Sequence, residues 1–150
     1  MKVLVTGGAG YIGSHAVVAL LKAGHDAIIY DNFSTGHHFL LKAPHVEGDI
    51  GDAAKLDNLF KSERIDAVMH FAAHSLVGES VINPAKYYRN NVGHGLTLLE
   101  RMVENGVKKI VFSSTAAVYG EPDMIPIFEE SKKEPTNTYG ETKLTFERML

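Results

Sequence analysis

The stretch "VTGGAGYIGSH", Val5 to His15, places glycines at Gly7, Gly10 and Gly13. Glycines so spaced carry meaning only when a strand precedes them and a helix follows. Both flanks are present. "KVLVT" (Lys2–Thr6) is short, apolar and β-branched, the pattern of a strand buried on both faces. From Tyr11 to about Ala23 the spacing predicts a helix with Ile12, Ala16, Leu20 and Ala23 on one face, closed by Gly24. A bare backbone at such a strand-to-helix turn lets a pyrophosphate approach. The helix start adds free N–H groups and the positive end of its dipole. Gly13 would let the helix pack closely on the strand. The competing reading is a tight turn with no ligand, and the glycines alone do not separate the two.

Working outward, β-like runs alternate with helical ones. "DAIIYD" (Asp26–Asp31), "HVEGDI" (His45–Ile50), "DAVMHFAA" (Asp66–Ala73) and "KKIVFSS" (Lys108–Ser114) read as four more strands. "DAAKLDNLFKSE" reads as a helix capped by Asp52. Asn83 and Pro84 read as the cap and first residue of a long helix reaching Glu104, closed by Asn105-Gly106. "NFSTGHH" is a loop, and residues 120–138 form a long loop rich in proline and charge. A last helix starts near Tyr139 and is expected still to run at Leu150, so the chain is expected to break off within a helix and to be part of a longer protein. Strands separated by helices predict an α/β fold, a doubly wound parallel sheet of the Rossmann type with five strands, over residues 1–150.

Composition removes other classes. The net charge is -3, without a long basic run, which argues against nucleic acid or an anionic membrane as the main partner. With no cysteine, disulfides and thiolate chemistry are excluded. The 8 histidines form no recognisable ligand set, so no metal is expected. The start "MKVLVTGG" lacks the core of a signal peptide, and no apolar run approaches the ~18–20 residues that span a bilayer. The expectation is a cytosolic protein.

Two further features carry chemistry. Asp31 ends the second strand, near where an acid takes the ribose hydroxyls of a bound dinucleotide; an acid there repels a 2′-phosphate and favours NAD over NADP. Asp49 and Ile50 follow the third strand and are candidates to flank adenine. At the other end, "YGETK" sets Tyr139 and Lys143 four apart, on one face of a helix. Tyrosine ionises near pH ~10 in water, and an ammonium beside it favours the phenolate. Such a pair suits removal of a hydroxyl proton as hydride leaves. Alone it also fits a surface Tyr and a surface Lys. Ser113, Ser114 and Thr115 end the fifth strand, where a hydroxyl could bind a reacting oxygen.

"TGGAGYIG", "YDN", "GDI", "HFAA", "NNVGHG", "SSTAAVYG" and "YGETK" occur in the order seen in the extended short-chain dehydrogenase/reductases. The whole chain resembles that group, and within it the UDP-glucose 4-epimerases; "HFAAHSLVGESVINPAKYYRNNV" and "FSSTAAVYG" are the most similar stretches. Dehydratases of the group commonly carry an Asp-Glu pair where this chain has Ala116 and Ala117. The resemblance implies an NAD-dependent isomerase acting on a UDP-sugar through a 4-keto intermediate. It implies Gly7, Gly10, Tyr11, Ile12 and Gly13 at the pyrophosphate, and Asp31, Asn32, Phe33, Ser34, Thr35 and Gly36 at the adenosine ribose. Asp49 and Ile50 would flank adenine, and Phe71, Ala72, Ala73, Ser75 and Asn90 would lie toward nicotinamide, Ser75 standing where some relatives have lysine. Thr115, Tyr139 and Lys143 would be catalytic, the last two also touching cofactor. It further implies a substrate-binding half beyond this chain, and a homodimer formed through helices 84–104 and 139–150.

Overall fold

A computed structural model describes residues 1–150. Five parallel strands form one sheet: β1 (Lys2–Thr6), β2 (Asp26–Asp31), β3 (His45–Glu47), β4 (Ala67–His70) and β5 (Ile110–Phe112), in the order β3-β2-β1-β4-β5. The helices are α1 (Tyr11–Lys22), α2 (Ala53–Ser62), α3 (Val77–Ile82), α4 (Pro84–Tyr87), α5 (Gly95–Glu104) and α6 (Thr138–Glu147). The chain divides into two compact units, Met1–Ala72 with Thr97–Ser113, and Ala73–Leu96 with Ser114–Leu150.

The first unit holds the whole sheet. Alternation along β1 and β2 sends Leu4, Ile28 and Tyr30 to one face and Val3, Val5, Ala27 and Ile29 to the other. The first face packs on Leu56, Leu59 and Phe60 of α2 and on Leu98 and Met102 of α5; the second packs on Val17 of α1. Both faces are thus buried, which is why the strands read as nearly unbroken apolar runs. Register is direct: Thr6 stands opposite Tyr30 on one side and His70 on the other.

Several boundaries differ from the sequence-based expectation. In α1 the buried residues are Gly13, Ser14 and Val17, while Ile12 is 61% exposed. The expected face through Ile12 and Ala23 is therefore off by about one residue (100° of helix turn). Gly13 sets this choice, since its bare Cα lets α1 lie against the Gly7–Gly8 backbone. The last three strands are shorter than expected because their ladders run out: β3 pairs with β2 only as far as Asp31–Glu47, and β5 with β4 only over Val68–His70. Gly48 still donates to the Asp31 carbonyl, after which Asp49 turns the chain by accepting from the Gly51 N–H. The expected caps are in place: Asp52 accepts from Lys55 N–H, and Gly24 closes α1 with φ 79°.

The second unit is helical. The predicted helix from Pro84 to Glu104 starts as expected, Asn83 capping Lys86 N–H, but residues Tyr88–His94 are wound as a π-helix between α4 and α5. The preceding α3 has no strong pattern in the sequence; its Val81 and Ile82 are exposed. A 3-10 turn, Ala116–Tyr119, follows Thr115. Helix α6 begins at Thr138 and closes at Glu147, short of the predicted Leu150. Met149 and Leu150 bond to carbonyls only three residues back, the tightened geometry of a last turn.

Candidate functional site

In the first unit the sequence brings a set of loops to one edge of the sheet. Because all strands are parallel, the turns after β1, β2, β3 and β4 lie at their carboxyl ends. The turn after β1 is made by glycine backbone. Gly7 has φ 73°, and a Cβ on it would stand 2.6 Å from the Ala72 nitrogen. A Cβ on Gly13 would run into the Gly7 carbonyl oxygen. Gly10 tolerates more, with only that carbonyl within 3.3 Å. Gly10 is also the N-cap of α1 and offers no side-chain acceptor, so the first-turn N–H groups of the helix have no capping side chain. Tyr11 and Ile12 stand exposed on that first turn, 76% and 61%. The arrangement is an open helix start behind a side-chain-free turn, suited to a diphosphate.

Asp31 does more than end β2. It is buried, and its two carboxylate oxygens accept from the Ala9 and Phe33 N–H groups, both at 2.9 Å. It thereby ties the glycine turn to the 32–36 loop. Each oxygen keeps a further lone pair for an outside hydroxyl. The loop is fitted tightly: His37 N–H donates to Ala9 C=O, and a Cβ on Gly36 would stand 2.9 Å from an Asp31 oxygen. Phe33 takes φ 54° and stacks on His38, while Asn32 donates to Asp49 at 2.8 Å. Ser34 and Thr35 are exposed; Ile50 is buried in the core. Phe71 and Ala72 pass beside Gly7.

In the second unit α6 is wired at several points. Asn137 caps it by accepting from Gly140 N–H, and buried Ser80 accepts from Tyr139 N–H at 3.1 Å. Tyr139 is half-buried; Lys143 is 3% exposed, and its nitrogen lies 6.0 Å from the centre of the Tyr139 ring. Burial lowers the Lys143 ammonium from the ordinary lysine value to about 8. Thr115 Oγ1 accepts from Ala117 N–H, which fixes the hydroxyl and leaves its hydrogen to donate elsewhere. Of the other expected residues here, Ala73 is half-buried, Ser75 is exposed, and Asn90 donates to Asn91.

Asn91 was not singled out by the sequence. It is buried, accepts from His74 N–H, and donates to His74 C=O and to Thr142 Oγ1. It therefore pins the segment before α3 to the helix that carries Tyr139. The available signal was a pair of asparagines, weak helix formers, inside a predicted helix; the π-helix is where they fall.

The buried amine predicts a measurable cost in stability. Lys143 has a folded-state value of about 8 against 10.5 for the ordinary group. Below pH ~8 both states hold the proton, and the folded state carries the whole cost of burying it. Between the two values the unfolded chain binds more protons, so this cost is relieved as pH rises. Lys143→Met is expected to stabilise the fold by on the order of 2 kcal/mol at pH ~7, with the gain shrinking toward pH ~10. Urea unfolding of both proteins at the two pH values checks this.

The chain matches the family described as "NAD dependent epimerase/dehydratase family" over residues 3–150. It is 57% identical to the UDP-glucose 4-epimerase of Halalkalibacterium halodurans over 151 residues, covering 100% of this chain and 45% of that protein. The UDP-glucose 4-epimerase from Brucella ovis, solved in complex with NAD, superposes with a TM-score of 0.97 at 47% identity, covering 99% of this chain and 46% of that one. The Bifidobacterium longum UDP-glucose 4-epimerase, solved with NAD+ and UDP, gives 0.96 at 41% identity, covering 99% and 48%. The chain spans about half the length of the curated relatives it matches.

Proposed function

The chain belongs to the NAD dependent epimerase/dehydratase family, and from that membership we propose that it forms the cofactor-holding part of an enzyme that interconverts UDP-glucose and UDP-galactose at C4. The observation that carries the reading is the buried Lys143 amine 6.0 Å over the Tyr139 ring. A phenol beside an amine is a proton carrier matched to a sugar hydroxyl.

Most of the residues that would hold a dinucleotide lie in the first unit. Gly7, Gly10, Tyr11, Ile12 and Gly13 would hold the pyrophosphate, which the capless start of α1 supports. Asp31, with Asn32, Phe33, Ser34, Thr35 and Gly36, would take the adenosine ribose, and its carboxylate disfavours the 2′-phosphate of NADP. Asp49 and Ile50 would flank adenine; Phe71, Ala72, Ala73, Ser75 and Asn90 would serve the nicotinamide end. NAD, when bound, supplies a reversible hydride acceptor, so that one sugar carbon can be oxidised and then reduced on its other face.

The proton work falls to the chain's own side chains. Thr115 donates its hydroxyl hydrogen to the sugar 4-oxygen and orients it. Tyr139 takes the 4-hydroxyl proton and returns it when C4 is reduced again, so protons balance over a cycle. Lys143 holds its amine 6.0 Å from the centre of that ring. No carboxylate follows Thr115, where Ala116 and Ala117 stand; an acid/base pair for eliminating water is therefore missing, which supports epimerisation over dehydration. The sugar-nucleotide grip would come from a further substrate-binding half, so residues 1–150 alone are proposed to bind NAD without appreciable turnover. A homodimer through helices 84–104 and 139–150 fits the exposure of Tyr88, Leu96 and Val103. No helix is long and apolar enough to cross a membrane, and we place the enzyme in the cytosol, in galactose metabolism.

The test is product identity. The full-length enzyme, given UDP-galactose and no added reductant, is expected to form UDP-glucose. A product that has lost water or carbon dioxide contradicts the assignment.

A further inference from the structure

Glu147 lies four residues after Lys143 and eight after Tyr139 on α6. Positions i, i+4 and i+8 fall within a helix stripe about 80° wide. The Glu147 side chain is mostly covered, and both of its oxygens are engaged. Oε1 accepts from the Ser114 hydroxyl, and Oε2 accepts from Lys133 Nζ at 2.7 Å. Burial alone would raise this carboxyl, but the bonds from Lys133 and Ser114 outweigh it and hold it below the usual range. An ionised acceptor makes the stronger bond to a hydroxyl. Ser114 immediately precedes Thr115, whose own hydroxyl is locked by the Ala117 N–H.

We propose that Glu147 is a positioning residue: by tying Ser114 to the helix that carries Tyr139 and Lys143, it sets where the Thr115 hydroxyl is held. The inference rests on the functional reading of Thr115 and Tyr139 given above. Glu147 takes no part in proton transfer itself, since Ser114 and Lys133 occupy its oxygens. Its effect is geometric. A misplacement of about 1 Å in a catalytic group costs on the order of 100-fold in rate.

The experiment uses the full-length enzyme with bound NAD and UDP-galactose. It compares Glu147→Ala, Glu147→Gln, Ser114→Ala and the double Ser114→Ala/Glu147→Ala, with Tyr139→Phe as control. Glu147→Ala and Ser114→Ala are each expected to lower kcat by about 10- to 100-fold with KM little changed. The double variant should be no slower than Glu147→Ala, because one bond is removed either way. Glu147→Gln keeps an acceptor oxygen and should recover most of the loss. In the same proteins, amide exchange at Val118 and Gly120 should quicken in both single alanine variants.

Additive losses, a rise in KM alone, or no rescue by glutamine overturns the positioning role. A wild-type rate in Glu147→Ala beside a dead Tyr139→Phe also overturns it and leaves the epimerase reading standing. Full activity of Tyr139→Phe, or no turnover in the wild type, overturns the epimerase reading. The exchange pattern then still decides the tether.

Discussion

Tyr139→Phe is expected to abolish turnover of UDP-galactose while weakening NAD binding only several-fold, by about one hydrogen bond. The phenyl ring keeps the volume of the tyrosine and its place beside Lys143. The helix contacts of the residue also survive, since Ser80 accepts from the Tyr139 backbone and Thr142 donates to its carbonyl. Only the hydroxyl goes, and with it the group proposed to take and return the sugar proton. Loss of a general base lowers rates by about 100- to 10,000-fold. The check pairs a turnover assay of the full-length enzyme with calorimetric titration of NAD. A variant within about tenfold of wild type, outside that range, would place the proton carrier elsewhere.

The second large effect concerns the turn itself. Gly7→Ala meets two obstacles at once. The residue takes φ 73°, and the added Cβ would press on the Ala72 nitrogen at 2.6 Å and the Phe71 carbonyl carbon at 2.8 Å. The left-handed backbone costs an L-residue about 1–2 kcal/mol and the overpacking about 1–3 more. A loss of about 3 kcal/mol lowers Tm by roughly 6–12 °C in a chain of this size. Because the turn and the start of α1 move together, NAD binding should fall by about 100-fold or more, the value of two charge-assisted hydrogen bonds. Gly24→Ala is the control. It has φ 79° but open space around it, so it should cost only about 1 kcal/mol and leave NAD binding alone. Equal effects from the two variants would remove the turn from the binding site.

The sheet was legible because its strands are buried on both faces and carry unbroken apolar runs; Leu4, Val5, Ile28 and Ile29 could hardly face water. The glycine turn was legible because Gly7 and Gly13 meet backbone atoms that admit no side chain. Boundaries were less so. A strand ends where its ladder partner ends, and no local pattern in "HVEGDI" marks where β2 stops pairing. The α1 face departs from the apolar pattern because Gly13 and Ser14, both small, lie inward by close approach to the turn, while apolar Ile12 lies outward. The π-helix was hidden because the partners of Asn91, His74 and Thr142, lie far away in sequence. Asp31 was read as a ligand group from its place at the end of β2. Its bonds to Ala9 and Phe33 reveal a second task, holding the loop that would present it. Glu147 gave no signal beyond its spacing, since its partners Ser114 and Lys133 are brought to it by the fold.

Residues 1–150 are proposed to cradle NAD, and isothermal titration of the folded chain tests this most directly. One NAD per chain is expected, with NADP bound at least about tenfold more weakly because of the Asp31 carboxylate. No heat of binding from a chain that remains folded by circular dichroism, or a preference for NADP, would contradict it.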